Sequence, residues 1–257
     1  DWSSDVCSRS MNTGVIHGAL AFALWGVLPL YFKQLQAVPP LEIVLHRSVW
    51  SLVFVLGVLA VLRRWAWLTT LWRAPRQAAL FGVSALLLSG NWLLFVWAVN
   101  NGRIVEASLG YFINPLLSVL LGYAVLHERL RRVQWMAVAL AAAGVLWLTL
   151  QTQQWPWVSL LLAASFGVYG LLRKTASLGA LEGLALETLL LAPVTVPLLA
   201  SWTWQGGSAL SGAEPTTVLW LLLAGPLTAA PLLLFASAAR RISLATVGLL
   251  QYIGPTI

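Results

Sequence analysis

Arg103-Ile104-Val105-Glu106-Ala107-Ser108-Leu109-Gly110-Tyr111-Phe112-Ile113-Asn114-Pro115 is the stretch on which the reading of this chain turns. It lies within Gly90 to Arg132, a region apolar enough for a bilayer, yet it carries Asn114 and Pro115 in mid-run, where a helix loses a backbone hydrogen bond. The chain then nearly repeats it. Arg241-Ile242-Ser243-Leu244-Ala245-Thr246-Val247-Gly248 reproduces the opening, and Gly254-Pro255 restores the break two residues late. A duplicated, interrupted apolar helix points to a solute site in the membrane, with Pro115, Gly254 and Pro255 as the expected helix breaks.

Working outward, the 257 residues are 60% hydrophobic and only 9% charged, with a mean hydropathy of +0.84. A soluble domain carries roughly a quarter charged residues, so the expected class is an all-α polytopic membrane protein whose first partner is the lipid bilayer. The net charge of +7 is spread in short clusters between apolar runs, which makes it a topology signal and excludes a nucleic-acid face. With Cys7 the single cysteine and the three histidines unclustered, no disulfide framework, metal site or cofactor is expected. Residues 1–10 are polar and precede Met11; they read as an upstream remnant with no place in the fold.

Apolar runs fall at about 14–32, 41–62, 77–99, 104–126, 133–150, 156–172, 181–201, 216–238 and 242 onward, which predicts eight complete spans and a ninth cut short. With the N-terminus inside, eleven Lys and Arg (63, 64, 73, 76, 129, 131, 132, 173, 174, 240, 241) occupy inner loops and only Lys33 and Arg103 outer ones. The positive-inside rule therefore places the N-terminus in the cytoplasm of a multi-pass inner-membrane protein. Trp155, Trp157, Trp202 and Trp204 fit an outer aromatic belt.

The internal repeat extends beyond the opening stretch. Trp25-Gly26 followed by Lys33 matches Phe166-Gly167 followed by Lys174, and Pro40-Leu41-Glu42 corresponds to Ala180-Leu181-Glu182, at a spacing of about 140 residues. Each unit, 11–151 and 152–257, would hold five helices, an odd number, so the second enters the membrane inverted. The expectation is two inverted five-helix repeats and ten transmembrane helices when intact, about nine of them represented here with the C-terminus truncated.

Several blocks also carry a family resemblance. Trp25-Gly26 through Pro29, Tyr31-Phe32-Lys33, His46-Arg47, Gly90-Asn91-Trp92-Leu93-Leu94-Phe95, Trp97-Ala98-Val99-Asn100-Asn101, Glu106 through Pro115 and Gln251-Tyr252-Ile253-Gly254-Pro255 resemble the RarD branch of the EamA transporters. The resemblance runs from about Gly14 to the end. It implies an inner-membrane protein moving small metabolites or drugs, without fixing the solute. One departure stands out: after the fourth helix the family pattern has Gly-Glu-Arg, where this chain has His127-Glu128-Arg129, and Gly permits backbone angles that His resists.

Polar groups inside a membrane are expensive and mark either a path or a packing contact. Ser108, Asn114 and Ser118 fall within roughly 120° of one helical face, and Thr246, Tyr252 and Thr256 repeat that spacing, which suggests two walls of one cavity. The alternative is interhelical hydrogen bonding. Arg47 in the second span and Glu187 in the seventh are separated by roughly 10 Å of depth at 1.5 Å per residue, so each is expected to serve its own half of a path. Their alternative is snorkelling or structural hydrogen bonding. His46, beside Arg47, is expected to point elsewhere.

Trp25, Asn91, Trp92 and Tyr111 complete the expected solute path, with packing as the competing use of the aromatics. Ala137, Ala139, Ala141, Ala142, Ala143 and Gly144 give the fifth span a small-residue face, for packing within the chain or for a homodimer. No catalytic residues are expected: Arg131 stands where a His-Glu-x-x-His site needs its second histidine, and no Gly-x-Ser-x-Gly elbow occurs. No nucleotide fingerprint occurs either. The reading that remains is a secondary transporter working by export or exchange on an ion gradient, with a non-transporting assembly or sensor subunit as the alternative.

Overall fold

The computed structural model describes residues 2–69, 74–152, 155–210 and 214–257, so Arg73 of the topology count lies outside the described residues. Among the described residues the helices run in the order α1 (Trp2–Lys33), α2 (Pro40–Leu62), α3 (Pro75–Asn100), α4 (Ile104–Leu126), α5 (Arg132–Thr152), α6 (Trp157–Thr175), α7 (Ala180–Trp204), α8 (Pro215–Arg241), α9 (Leu244–Leu250) and α10 (Ile253–Thr256). Prolines open α2, α3 and α8, where the missing N–H has no intrahelical partner to lose.

Among the described residues, seven helices are long and apolar enough to cross a membrane: α1 from Ser10, α2, α3, α4, α5, α7 and α8. The eight complete spans expected from the sequence are thus one too many on this measure. α6 is helical over the expected run, but Arg173 and Lys174 occupy its last turn and lower its apolar content. The polar residues 2–10, expected to have no place in the fold, form the start of α1, since extending an existing helix costs far less than nucleating one.

The starts of α2 and α7, of α3 and α8, and of α4 and α9 are each 140 residues apart. The sequence repeat therefore has a counterpart in where helices begin. The chain forms two compact units. The first comprises 1–26, 87–175 and 235–257, with α4 at its centre against α6, α9 and α5. The second comprises 27–86 and 176–234 and is organised on the packing of α2 against α7. Each unit thus has at its core a pair of helices occupying equivalent places in the repeat. The small-residue face of α5 is unburied, with Leu140 78% exposed, a surface suited to lipid.

Candidate functional site

The first unit contains both copies of the repeated segment, and they differ. α4 runs unbroken from Ile104 to Leu126 with Pro115 inside it. The break expected at Pro115 does not occur: its missing N–H leaves one carbonyl without a helical partner, and the turns on either side carry the helix through. The second copy does break. α9 ends at Leu250, Gln251 and Tyr252 form a tight turn, and α10 starts at Ile253. There Tyr252 N donates to Leu249 O (3.4 Å) and Gly254 N to Gln251 O (3.2 Å), the shorter-range bonding of a wound-up turn. Pro255 sits in the first turn of α10, where its missing donor matters least.

The two segments meet directly. A Cβ on Gly248 would stand 2.7 Å from the Pro115 carbonyl oxygen and 3.1 Å from Ser118 Cβ, so only glycine allows this approach. One turn on, Gln251 Nε2 donates to Ser118 Oγ (3.2 Å), and the Tyr252 hydroxyl donates to the Phe112 carbonyl (3.3 Å). Ser118 is 1% exposed and Asn114 8%; Asn114 Oδ1 and Gln251 Oε1 are buried and have no hydrogen-bond partner among the described residues. Two acceptor oxygens left unsatisfied beside one buried hydroxyl are costly unless a donor arrives. On the far side of the break, Gly26 of α1 lies close to Gly254, where an added Cβ would stand 2.9 Å from the Gly254 carbonyl oxygen.

The duplicated polar stripe is only partly present. Asn114 and Ser118 are buried, but Ser108 is exposed, because it lies well around the helix from them. In the second copy Thr246 belongs to the start of α9, its N–H donating to the Ser243 hydroxyl (3.1 Å), and Thr256 is exposed and donates to its own helix at Tyr252 O (2.9 Å). Tyr252 reaches α4 as expected; Gln251, which the spacing argument passes over, supplies the other contact.

The remaining path residues of this unit are dispersed. Asn91 Nδ2 donates to the Leu162 carbonyl (2.9 Å) and to Ser165 Oγ (2.8 Å), so it is engaged in an interhelical contact with α6. Trp25 packs into an aromatic cluster with Phe22, Phe166 and Phe235, at centroid distances of 5.4, 5.6 and 5.7 Å. Tyr111 is 51% exposed and edge-on to Phe95, and Trp92 is partly buried on α3.

Arg47 and Glu187 lie in the second unit. Arg47 Nε donates to Thr228 Oγ1 (2.9 Å) and its guanidinium lies over Phe32, while Glu187 Oε1 accepts from Ser84 Oγ (2.5 Å). Hydroxyls from α8 and α3 thus meet each charge, and neither partner is marked by any sequence motif.

A model described as the EamA-like transporter family matches residues 12–150. The chain belongs to that family, as a RarD-type member. It is 43% identical to Protein RarD of Escherichia coli over 255 residues, covering 97% of this chain and 84% of that one. It is 49% identical to the uncharacterized transporter YojE of Bacillus subtilis over 95% of this chain and 82% of the relative. The chloramphenicol-sensitive protein RarD of Pseudomonas aeruginosa is 34% identical over 97% and 84%. A solved crystal structure covering 94% of this chain and 85% of its own aligns with a TM-score of 0.65 at 19% identity, a likeness of fold. The protein is a multi-pass membrane transporter.

Against the RarD-type pattern, the departure at His127 has a structural counterpart. His127 caps α4 in the left-handed region, φ 54° and ψ 33°, the conformation that glycine adopts freely. The turn it makes delivers Glu128 to the start of α9, where Leu244 N donates to Oε1 (2.7 Å) and Ala245 N to Oε2 (3.0 Å). Lys174 Nζ stands 3.6 Å from that carboxylate and donates to the carbonyls of Ile242 (2.6 Å) and Ala239 (3.2 Å). A carboxylate on the first N–H groups of a helix is held by both hydrogen bonds and the helix dipole. This RarD-type chain therefore ties the end of α4 to the beginning of its repeat copy through one acidic side chain. In the sequence Glu128 reads only as part of a loop; an acid directly after a glycine-type cap is the signal that points to it.

Proposed function

We propose that this protein is a secondary transporter that carries small metabolites or drugs across the bacterial inner membrane by alternating access, by export or exchange driven by an ion gradient. The observation that carries the proposal is the junction of α4 with the broken α9–α10 segment, where Asn114 and Gln251 hold unsatisfied acceptor oxygens beside Ser118. A broken helix lying on an intact one gives a fixed polar spot in an apolar surround and a turn able to reshape around a solute. On this reading 11–151 and 152–257 are inverted repeats of a ten-helix protein with its N-terminus in the cytoplasm, and the transported solute offers a donor group to the two amide oxygens.

Inside-out vesicles supplied with a panel of radiolabelled amino acids, nucleosides and amphenicols test the proposal. Accumulation of a panel member that depends on this protein and collapses with an ionophore is the expected result. Vesicles that take up no member, with normal protein levels, would favour an assembly or sensor subunit.

A further inference from the structure

The second unit holds a group of titratable side chains that the proposed solute site does not use. Glu42, His46 and Trp50 are spaced four apart on α2, so they line one face of that helix. Glu42 and His46 are both fully buried. Glu42 Oε1 accepts from Ser208 Oγ (2.6 Å) and from the Ala209 N–H (2.8 Å), and stands 3.7 Å from His46 Nε2. Among the described residues, Glu42 Oε2 and His46 Nε2 have no hydrogen-bond partner. At the other edge of the imidazole, Trp50 Nε1 donates to His46 Nδ1 at 3.0 Å.

An indole nitrogen only donates, so Nδ1 must offer its lone pair and the ring's proton must sit on Nε2. That proton faces Glu42 across a gap too long for a hydrogen bond. A second proton has a single place to go: the Nδ1 lone pair that Trp50 now occupies. Taking it up breaks the Trp50 bond, since two N–H groups cannot share it, and leaves an imidazolium whose Nε2–H is drawn onto the Glu42 carboxylate.

We propose that His46 is a proton-binding site, and that proton uptake there releases Trp50. The charged and titratable groups around it are compatible with this. Glu42 is the acid facing it on α2, Arg47 on the same helix is engaged by Thr228 of α8, and Tyr31 of α1 donates to the Trp220 carbonyl of α8 (3.2 Å). On α7, Glu187 accepts from Ser84 of α3, and Glu182 pairs with Arg64 (3.6 Å) at the opposite end of α2. The segment after α7 contributes Ser208 and Ala209, neither of them charged.

The released indole has somewhere to act. His46 and Trp50, with Leu199, Thr203, Trp204 and Leu210, line an apolar groove of about 490 Å³ between α2 and the end of α7. Freed from His46, Trp50 can turn within that groove and change its shape. If the transport reading holds, the proton is then the coupling ion; the proton site itself does not rest on that reading.

The test is ¹⁵N NMR of the full chain in nanodiscs with labelled histidine and tryptophan, titrated from pH 8 to pH 4, with His46→Gln and Trp50→Phe for assignment. The His46→Gln variant keeps an acceptor for Trp50 but cannot titrate. The expected result is an Nε2–H tautomer at pH 8, converting to imidazolium as the Trp50 N–H signal shifts with the same midpoint. In His46→Gln that Trp50 shift is lost. An Nδ1–H tautomer at pH 8, a His46 that stays neutral throughout, or a Trp50 shift surviving in His46→Gln would overturn the proposal. Because no solute is present, failed uptake in vesicles would count against the transport reading and leave the proton site standing.

Discussion

α4 and the α9–α10 segment start from nearly the same sequence and end in different shapes. In α4 an Asn-Pro pair sits mid-helix and the helix continues; in the second copy the Gly-Pro pair follows a turn at Gln251–Tyr252 and the helix restarts. Proline alone therefore does not break an apolar helix. The neighbours decide: α4 is supported by α5, α6 and α9, whereas the turn at Gln251 trades helical bonding for side-chain bonds to Ser118 and Phe112. Two copies of one element thereby become an unbroken helix and a helix interrupted by a turn.

The largest expected effect on this pairing comes from Gly248→Leu. The side chain must enter space held by the Pro115 carbonyl and Ser118, costing about 1–3 kcal/mol in a detergent melt by overpacking, and uptake of any panel solute is lost. Gly90→Ala, with nothing within 4 Å of its Cβ, leaves melt and uptake unchanged. Next in size is Glu128→Ala, which strips two backbone N–H groups of α9 of their partner and costs about 1–3 kcal/mol in the same melt. A variant melting like the parent would show that the tie between α4 and α9 contributes nothing.

His127→Gly sharpens the comparison from the other side. Relief of a left-handed conformation in a residue with a Cβ raises stability by about 1 kcal/mol, and the Glu128 contacts stay in place. Smallest is Ser118→Ala. A hydrogen bond between membrane helices contributes about 0.6 kcal/mol, so the melt barely moves while solute uptake falls.

Much of this architecture is legible in the sequence because membrane helices announce themselves by length and apolar content, and because the 140-residue spacing survives in the helix starts. Side-chain pairing is less legible. Periodicity correctly puts Asn114 and Ser118 together, but it also includes Ser108 and Thr256, since spacing gives a direction around a helix and says little about which neighbour will be there. Asn91 reads as a path residue in sequence and is engaged by α6 in space. Likewise Arg47, the more conspicuous charge, draws the eye away from the stripe of Glu42, His46 and Trp50 on its own helix.

The most direct measurement joins the two copies. In a Cys7→Ser background, Ser118→Cys with Gln251→Cys is treated with a short thiol-to-thiol reagent, and uptake in vesicles by the unlinked double variant is compared with that of the Cys7→Ser parent. The account predicts rapid linking of α4 to the turn after α9 and, because both side chains belong to the solute spot, uptake by the double variant far below the parent's. Failure to link, or uptake equal to the parent's, would contradict it.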